Sequence, residues 1–126
     1  YEAVRAAHER IVQQPAAFTK HLADLADVDV PENRDEADLA HHLTLERCYV
    51  HGDPAKGGKR GLALNARHAA VVDAYFSDWK SDGQETQGIA GCNGPGPFKI
   101  VNNHVEAAGV NLLFGGGDPK IENLVP

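Results

Sequence analysis

Between residues 51 and 60 the sequence places His51, Asp53, Lys56, Lys59 and Arg60 in one short polar stretch. A second stretch holds Asp78, Trp79, Lys80, Asp82, Gln84 and Glu85. A third is brief, and Glu106 is its charged residue. Acids and bases mixed in this way can take a proton from one atom and deliver one to another. Asp53, Asp78 and Asp82 are oxygen donors of the kind that hold a hard cation. A hydrolytic pair of carboxylates at a set separation is the other use of such residues, and Asp78 with Asp82 is the close pair. The competing reading of each charge is a solvated loop, because loops are polar by default. Lys56-Gly57-Gly58-Lys59 resembles a phosphate loop only superficially: the spacing is wrong and no helix follows. Gly115-Gly116-Gly117-Asp118 fails as a dinucleotide fingerprint and reads as a turn.

What could position these residues follows from the rest of the chain. Its 126 residues make one small domain. At 42% hydrophobic and 24% charged it is neither disordered nor membrane-like in composition. No apolar run approaches the ~18 residues that span a bilayer, so no membrane partner is expected. The net charge of −6 argues against nucleic acid, which calls for a clustered positive patch. Local basic loops can still meet an anionic ligand. Cys48 and Cys92 are too few for a disulfide framework and match no zinc spacing. With Tyr1 first, no Met and no signal-peptide pattern, the chain reads as a fragment or a processed product.

Residues 1–40 carry a helical period, with Val4, Ala7 and Ile11 on one face. Pro15 interrupts it, and Phe18, Leu22 and Leu25 resume it. Asp27 to Glu36 is acidic, contains Pro31 and reads as a connector. The region is expected to be a short helical N-terminal cap.

From His41 the texture becomes that of short strands separated by turns. Three segments align: Leu43 to His51, Ala69 to Ser77 and Phe98 to Glu106. Tyr49 precedes Tyr75 by 26 residues, and Tyr75 precedes His104 by 29. A further short strand follows each: Gly61 to Leu64, Gly88 to Gly91 and Asn111 to Phe114. Inside each copy the in-out alternation breaks once, at Glu46-Arg47, Val72-Asp73 and Val101-Asn102. A straight strand would put Leu45 and Cys48 on opposite faces. A two-residue corner puts both inside.

Each copy is therefore two strands meeting at a corner, a loop, a third strand and a return turn. The expectation is an all-β fold, a right-handed parallel β-helix: a three-sheet solenoid of about three coils over residues 41–126. A lone coil cannot bury its inward residues, whereas stacked coils can. The expected inward set is Leu43, Leu45, Cys48, Val50, Leu62, Leu64, Val71, Ala74, Phe76, Ile89, Ile100, Asn103, Val105, Leu112 and Phe114. Asn103 is polar there and is expected to bond neighbouring backbone. An antiparallel sandwich would need tight hairpins. Asn93-Gly94 is followed by Pro95-Gly96-Pro97, which makes a wide turn instead.

The strings Arg47-Cys48-Tyr49-Val50-His51-Gly52-Asp53-Pro54 and Lys59-Arg60-Gly61-Leu62-Ala63-Leu64-Asn65 resemble one coil of the pectate-lyase-like parallel β-helix proteins. Asn93 to Asn103, followed by Glu106-Ala107-Ala108-Gly109 and Phe114-Gly115-Gly116, resembles the next. The likeness covers residues 41–126 and points to an uncharacterised bacterial branch. It implies a polysaccharide partner and an extracellular or periplasmic place, with a lyase acting on acidic polysaccharides as the leading activity. A uronate lyase needs a base, a leaving-group acid, and a cation to neutralise the carboxylate. On that reading Lys59, Arg60, Lys80 and His51 are the catalytic candidates. Trp79 and Glu106 bind substrate, Trp79 either stacking on a sugar or folding back onto the core. Asp53, Asp78 and Asp82 hold Ca²⁺. The alternative is a non-catalytic carbohydrate-binding or structural solenoid piece. Its open coil ends would make it a homo-oligomer, since unpaired strand edges invite pairing.

Overall fold

In the computed structural model, which describes residues 35–121, nine strands follow one another with almost no helix. They are β1 (His41–Glu46), β2 (Tyr49–His51), β3 (Arg60–Ala63), β4 (Arg67–Val72), β5 (Tyr75–Trp79), β6 (Gln87–Gly91), β7 (Gly96–Val101), β8 (His104–Ala107) and β9 (Val110–Phe114). Strands three apart in sequence pair in parallel. The result is three three-stranded sheets, β1-β4-β7, β2-β5-β8 and β3-β6-β9. Each sheet thus takes one strand from each of three successive repeats. The register runs Tyr49 to Tyr75 to His104, as the aligned segments require.

The corner is a backbone feature. Arg47, Asp73 and Asn102 occupy equivalent places and have φ of 52°, 54° and 54°. This left-handed conformation is uncommon for residues other than glycine, and Asn and Asp tolerate it best. It turns the chain from the first sheet into the second while the ladder continues. The Arg47 amide donates to the Val72 carbonyl, and the Asp73 amide to that of Val101. Asn103 follows the corner and works as expected. Its Oδ1 accepts from the Ala74 amide at 2.8 Å, and its Nδ2 donates to the Val71 carbonyl at 2.8 Å.

Inward residues stack in columns across the repeats. Leu45, Val71 and Ile100 make one; Val50, Phe76 and Val105 another; Leu62, Ile89 and Leu112 a third. In each column the middle member is sealed: Val71 is 1% exposed, and Phe76 and Ile89 are 0%. Members of the outer repeats are covered unequally: Val50 is 8% exposed, Leu112 47%. Leu43, Leu112 and Phe114 were expected inside, yet they stand 47%, 47% and 39% exposed, because no repeat covers them among the described residues.

Of the expected helical cap, residues 1–34 lie outside the described residues. Within 35–40 the structure has a single 3₁₀ turn, Glu36–Asp38, whose first residue follows the Asp35 cap. Leu39 then enters the core at 2% exposure.

Candidate functional site

Val50 and Phe76 point inward, so their neighbours on β2 and β5 point outward. The outward face of the second sheet therefore carries Tyr49 and His51 from the first repeat, Tyr75 and Ser77 from the second, and His104 and Glu106 from the third. Strands about 4.8 Å apart bring their side chains into contact. The His51 ring lies on Tyr49 with centroids 4.7 Å apart, Tyr49 meets Tyr75 edge-on at 5.4 Å, and Tyr75 lies on His104 at 4.4 Å. His104 Nε2 is 3.9 Å from Glu106 Oε2. A row of three rings, Tyr49, Tyr75 and His104, crosses the three repeats, and His51 stacks beside Tyr49 along β2.

One end of this face is wired by hydrogen bonds. Ser77 Oγ donates to Asp78 Oδ2 at 3.1 Å, and Asp78 Oδ1 lies 3.8 Å from Lys80 Nζ. With its hydrogen directed to the carboxylate, Ser77 Oγ accepts from the Tyr49 hydroxyl at 3.0 Å. His51 Nδ1 lies 2.8 Å from the Gly52 carbonyl. A carbonyl oxygen only accepts, so Nδ1 carries the hydrogen, and a neutral ring then has its lone pair on Nε2. These contacts do not make a nucleophilic triad. The Ser77 proton faces a carboxylate rather than an imidazole, and the serine is 7% exposed.

The candidates drawn from the sequence divide. His51, Asp78, Lys80 and Glu106 lie on or beside this face. Arg60 is directed to the third sheet, where Nε donates to Gln87 Oε1 at 3.2 Å. Lys59 is exposed, and its carbonyl accepts the Gln87 amide. Trp79 takes the second of its two readings. Between the pairs Phe76–Val105 and Trp79–Ala107 the register shifts by one residue. The extra residue is Asp78, with φ of 62°. Simple alternation from Phe76 would leave Trp79 outside; the bulge turns it inside at 5% exposure. A Cβ on Gly61 would sit 2.7 Å from Trp79 Nε1, so the indole fits because Gly61 has no side chain.

The Trp79 indole nitrogen is buried without a hydrogen-bond partner. Leaving such a donor unpaired costs about 1–3 kcal/mol. Trp79→Phe is therefore expected to destabilise by no more than about 1 kcal/mol, since relief of the orphan donor offsets the lost volume. Chemical denaturation measures this. Emission from this single tryptophan is expected to stay unchanged when saccharide is added.

Asp53, Asp78 and Asp82 do not gather. Asp53 Oδ1 already accepts the amides of Ala55 and Lys56, both at 2.8 Å. Asp78 is engaged with Ser77 and Lys80, and Asp82 is exposed in the following loop. Among the described residues no three His, Cys, Asp or Glu side chains are grouped to hold a metal. No step is drawn through a metal ion at these carboxylates.

The amides of Lys56 and Ala55 hold the Asp53 carboxyl below its ordinary value, with smaller help from Lys56 and Lys80. A lowered folded-state value means the contribution is present above the unfolded carboxylate range and is lost as pH falls through the folded value. Asp53→Asn is thus expected to lower the denaturation midpoint at neutral pH, with the gap narrowing in acid. Denaturant titrations at several pH values test this. The Cys48 thiol is pushed up, chiefly by burial, which keeps it protonated and poorly reactive.

Tyr49 and Ser77 were absent from the sequence candidates. Their signal was the repeat itself: outward positions complement the inward set, and Tyr49-x-His51, Tyr75-x-Ser77 and His104-x-Glu106 align. No family model matches the chain, and neither the curated proteins nor the solved structures contain a match.

Proposed function

We propose that this chain is a right-handed parallel β-helix module that processes an acidic polysaccharide on the outward face of its second sheet. The observation that carries the reading is the row Tyr49, Tyr75 and His104, one ring from each of three repeats, with His51 stacked beside Tyr49 along the strand. An extended polymer suits a linear row better than a compact ligand does. Sugar hydroxyls find donors and acceptors in the phenols and the imidazoles, and Lys80 is the nearby cation for a uronate carboxylate. Eliminative cleavage suits a face whose titratable groups are mainly imidazole and phenol. Such substrates lie outside the cell, so an extracellular or periplasmic place follows from the reading.

Incubation with pectate, alginate and glycosaminoglycans, with and without Ca²⁺, tests the activity. The expected result is ultraviolet absorbance from unsaturated uronate ends. No signal from any polymer would end the lyase reading. A second reading, binding without turnover, is favoured by the pairing of Lys80 with Asp78, which weakens its hold on a substrate carboxylate. It predicts retention on immobilised polysaccharide without new chain ends. Exposed Leu43 at one end repeat and Leu112 and Phe114 at the other also favour self-association end to end. Sedimentation should then depend on concentration, and a strict monomer at high concentration would refute it.

A further inference from the structure

Resting on the polysaccharide reading, we infer that His51 and Tyr49 are the base and the acid of an eliminative cleavage, and that Ser77 positions Tyr49. The two residues are two apart on β2, project to the same side and stack at 4.7 Å with ring planes 22° apart. One substrate can therefore meet both. Their hydrogen-bond partners give them opposite tasks. The Gly52 carbonyl holds the hydrogen on His51 Nδ1, which leaves Nε2 to accept a proton and fixes the ring plane. The Asp78 carboxylate draws the Ser77 hydrogen, which leaves the Tyr49 hydroxyl as a proton donor.

In the step, the carbon α to the uronate carboxylate gives its proton to His51 Nε2. The electrons of that C–H bond form a double bond to the neighbouring carbon. The bond from that neighbour to the glycosidic oxygen breaks, and its pair goes to the oxygen. Tyr49 delivers its proton there. One polymer becomes two, one end unsaturated, with no water, oxidant or reductant consumed. The proton on His51 then returns to the Tyr49 phenolate, directly or through solvent. Ser77 serves the phenolate meanwhile, because a hydroxyl can rotate its hydrogen from Asp78 to Tyr49.

The arrangement also explains the place of the β5 bulge. The extra residue at Asp78 lets its carboxylate meet the outward Ser77 from the next position in the strand, where alternation alone would turn it inward. The same bulge that buries Trp79 thus completes the relay.

The test compares the whole chain with His51→Gln, Tyr49→Phe and Ser77→Ala, each checked for fold by circular dichroism. Turnover is read on whichever uronate polymer the wild type cleaves, and affinity on a uronate oligosaccharide. His51→Gln and Tyr49→Phe are each expected to lower kcat by about 10²-fold or more, with affinity changed by less than about threefold. Ser77→Ala is expected to lower kcat less and to alter the alkaline limb of the pH profile, which a merely structural serine would leave in place. Unchanged kcat in both His51→Gln and Tyr49→Phe overturns the assignment while leaving the polysaccharide reading intact. A wild type that cleaves no uronate polymer overturns the assignment as well, and its affinity for the oligosaccharide then decides whether binding survives.

Discussion

Phe76→Ala is expected to lower the unfolding free energy by about 3–5 kcal/mol, the usual cost of emptying a fully buried aromatic site. Phe76 is 0% exposed and lies between Val50 and Val105, its register partners in the repeats on either side. Ala74 and Ile89 are equally sealed, so the middle repeat has little freedom to collapse into the void. Phe114 is the internal comparison. It has the same side chain but is 39% exposed on an outer repeat, where it stacks on Phe98 at 5.0 Å. Its replacement by alanine should cost clearly less. Urea denaturation reads both as midpoint shifts at constant slope. Equal costs would mean that burial by stacked repeats is not what stabilises the protein.

The second large effect is expected at Asn103. Asn103→Leu leaves the Ala74 amide and the Val71 carbonyl without their partner at the corner. Both belong to residues of at most 1% exposure, so water does not readily replace the amide group. Each orphan costs about 1–3 kcal/mol. Asn103→Asp keeps an acceptor for Ala74 and loses the donor to Val71, so it should fall between wild type and Asn103→Leu. Hydrogen exchange gives a local readout: protection of the Ala74 amide should drop in Asn103→Leu and persist in Asn103→Asp. Loss of protection in both would place the stabilising role elsewhere in the side chain.

Much of the fold was legible because one repeat constrains the next. The parity break at Glu46-Arg47, Val72-Asp73 and Val101-Asn102 located the corner, and the positive φ at Arg47, Asp73 and Asn102 is its physical form. The Tyr49–Tyr75–His104 alignment gave the register of the second sheet. Exposure of Leu43 and Leu112 escaped a reading that assigned inward or outward by parity, because parity says nothing about whether a repeat lies above or below.

The site was less legible. By residue type the loop charges stand out, whereas the convergent groups are outward strand residues such as Tyr49 and Ser77. Trp79 shows the deeper limit. A bulge of one residue reverses every facing after it, and nothing in the residues around Asp78 announces one. Asp53, plausible as a cation ligand by type, turned out to be engaged by its own loop's amides, a local bond that residue type alone does not reveal.

The central claim is that the outward face of the second sheet meets an acidic sugar chain. Amide and side-chain chemical-shift mapping with a uronate oligosaccharide tests it most directly. The expected result is a continuous set of shifts at Tyr49, His51, Tyr75, Ser77 and His104, with Trp79 and the third-sheet Arg60–Gln87 pair unmoved. Shifts confined to Asp53–Lys59 or to Arg60 and Gln87, or no shifts at saturating oligosaccharide, would contradict it.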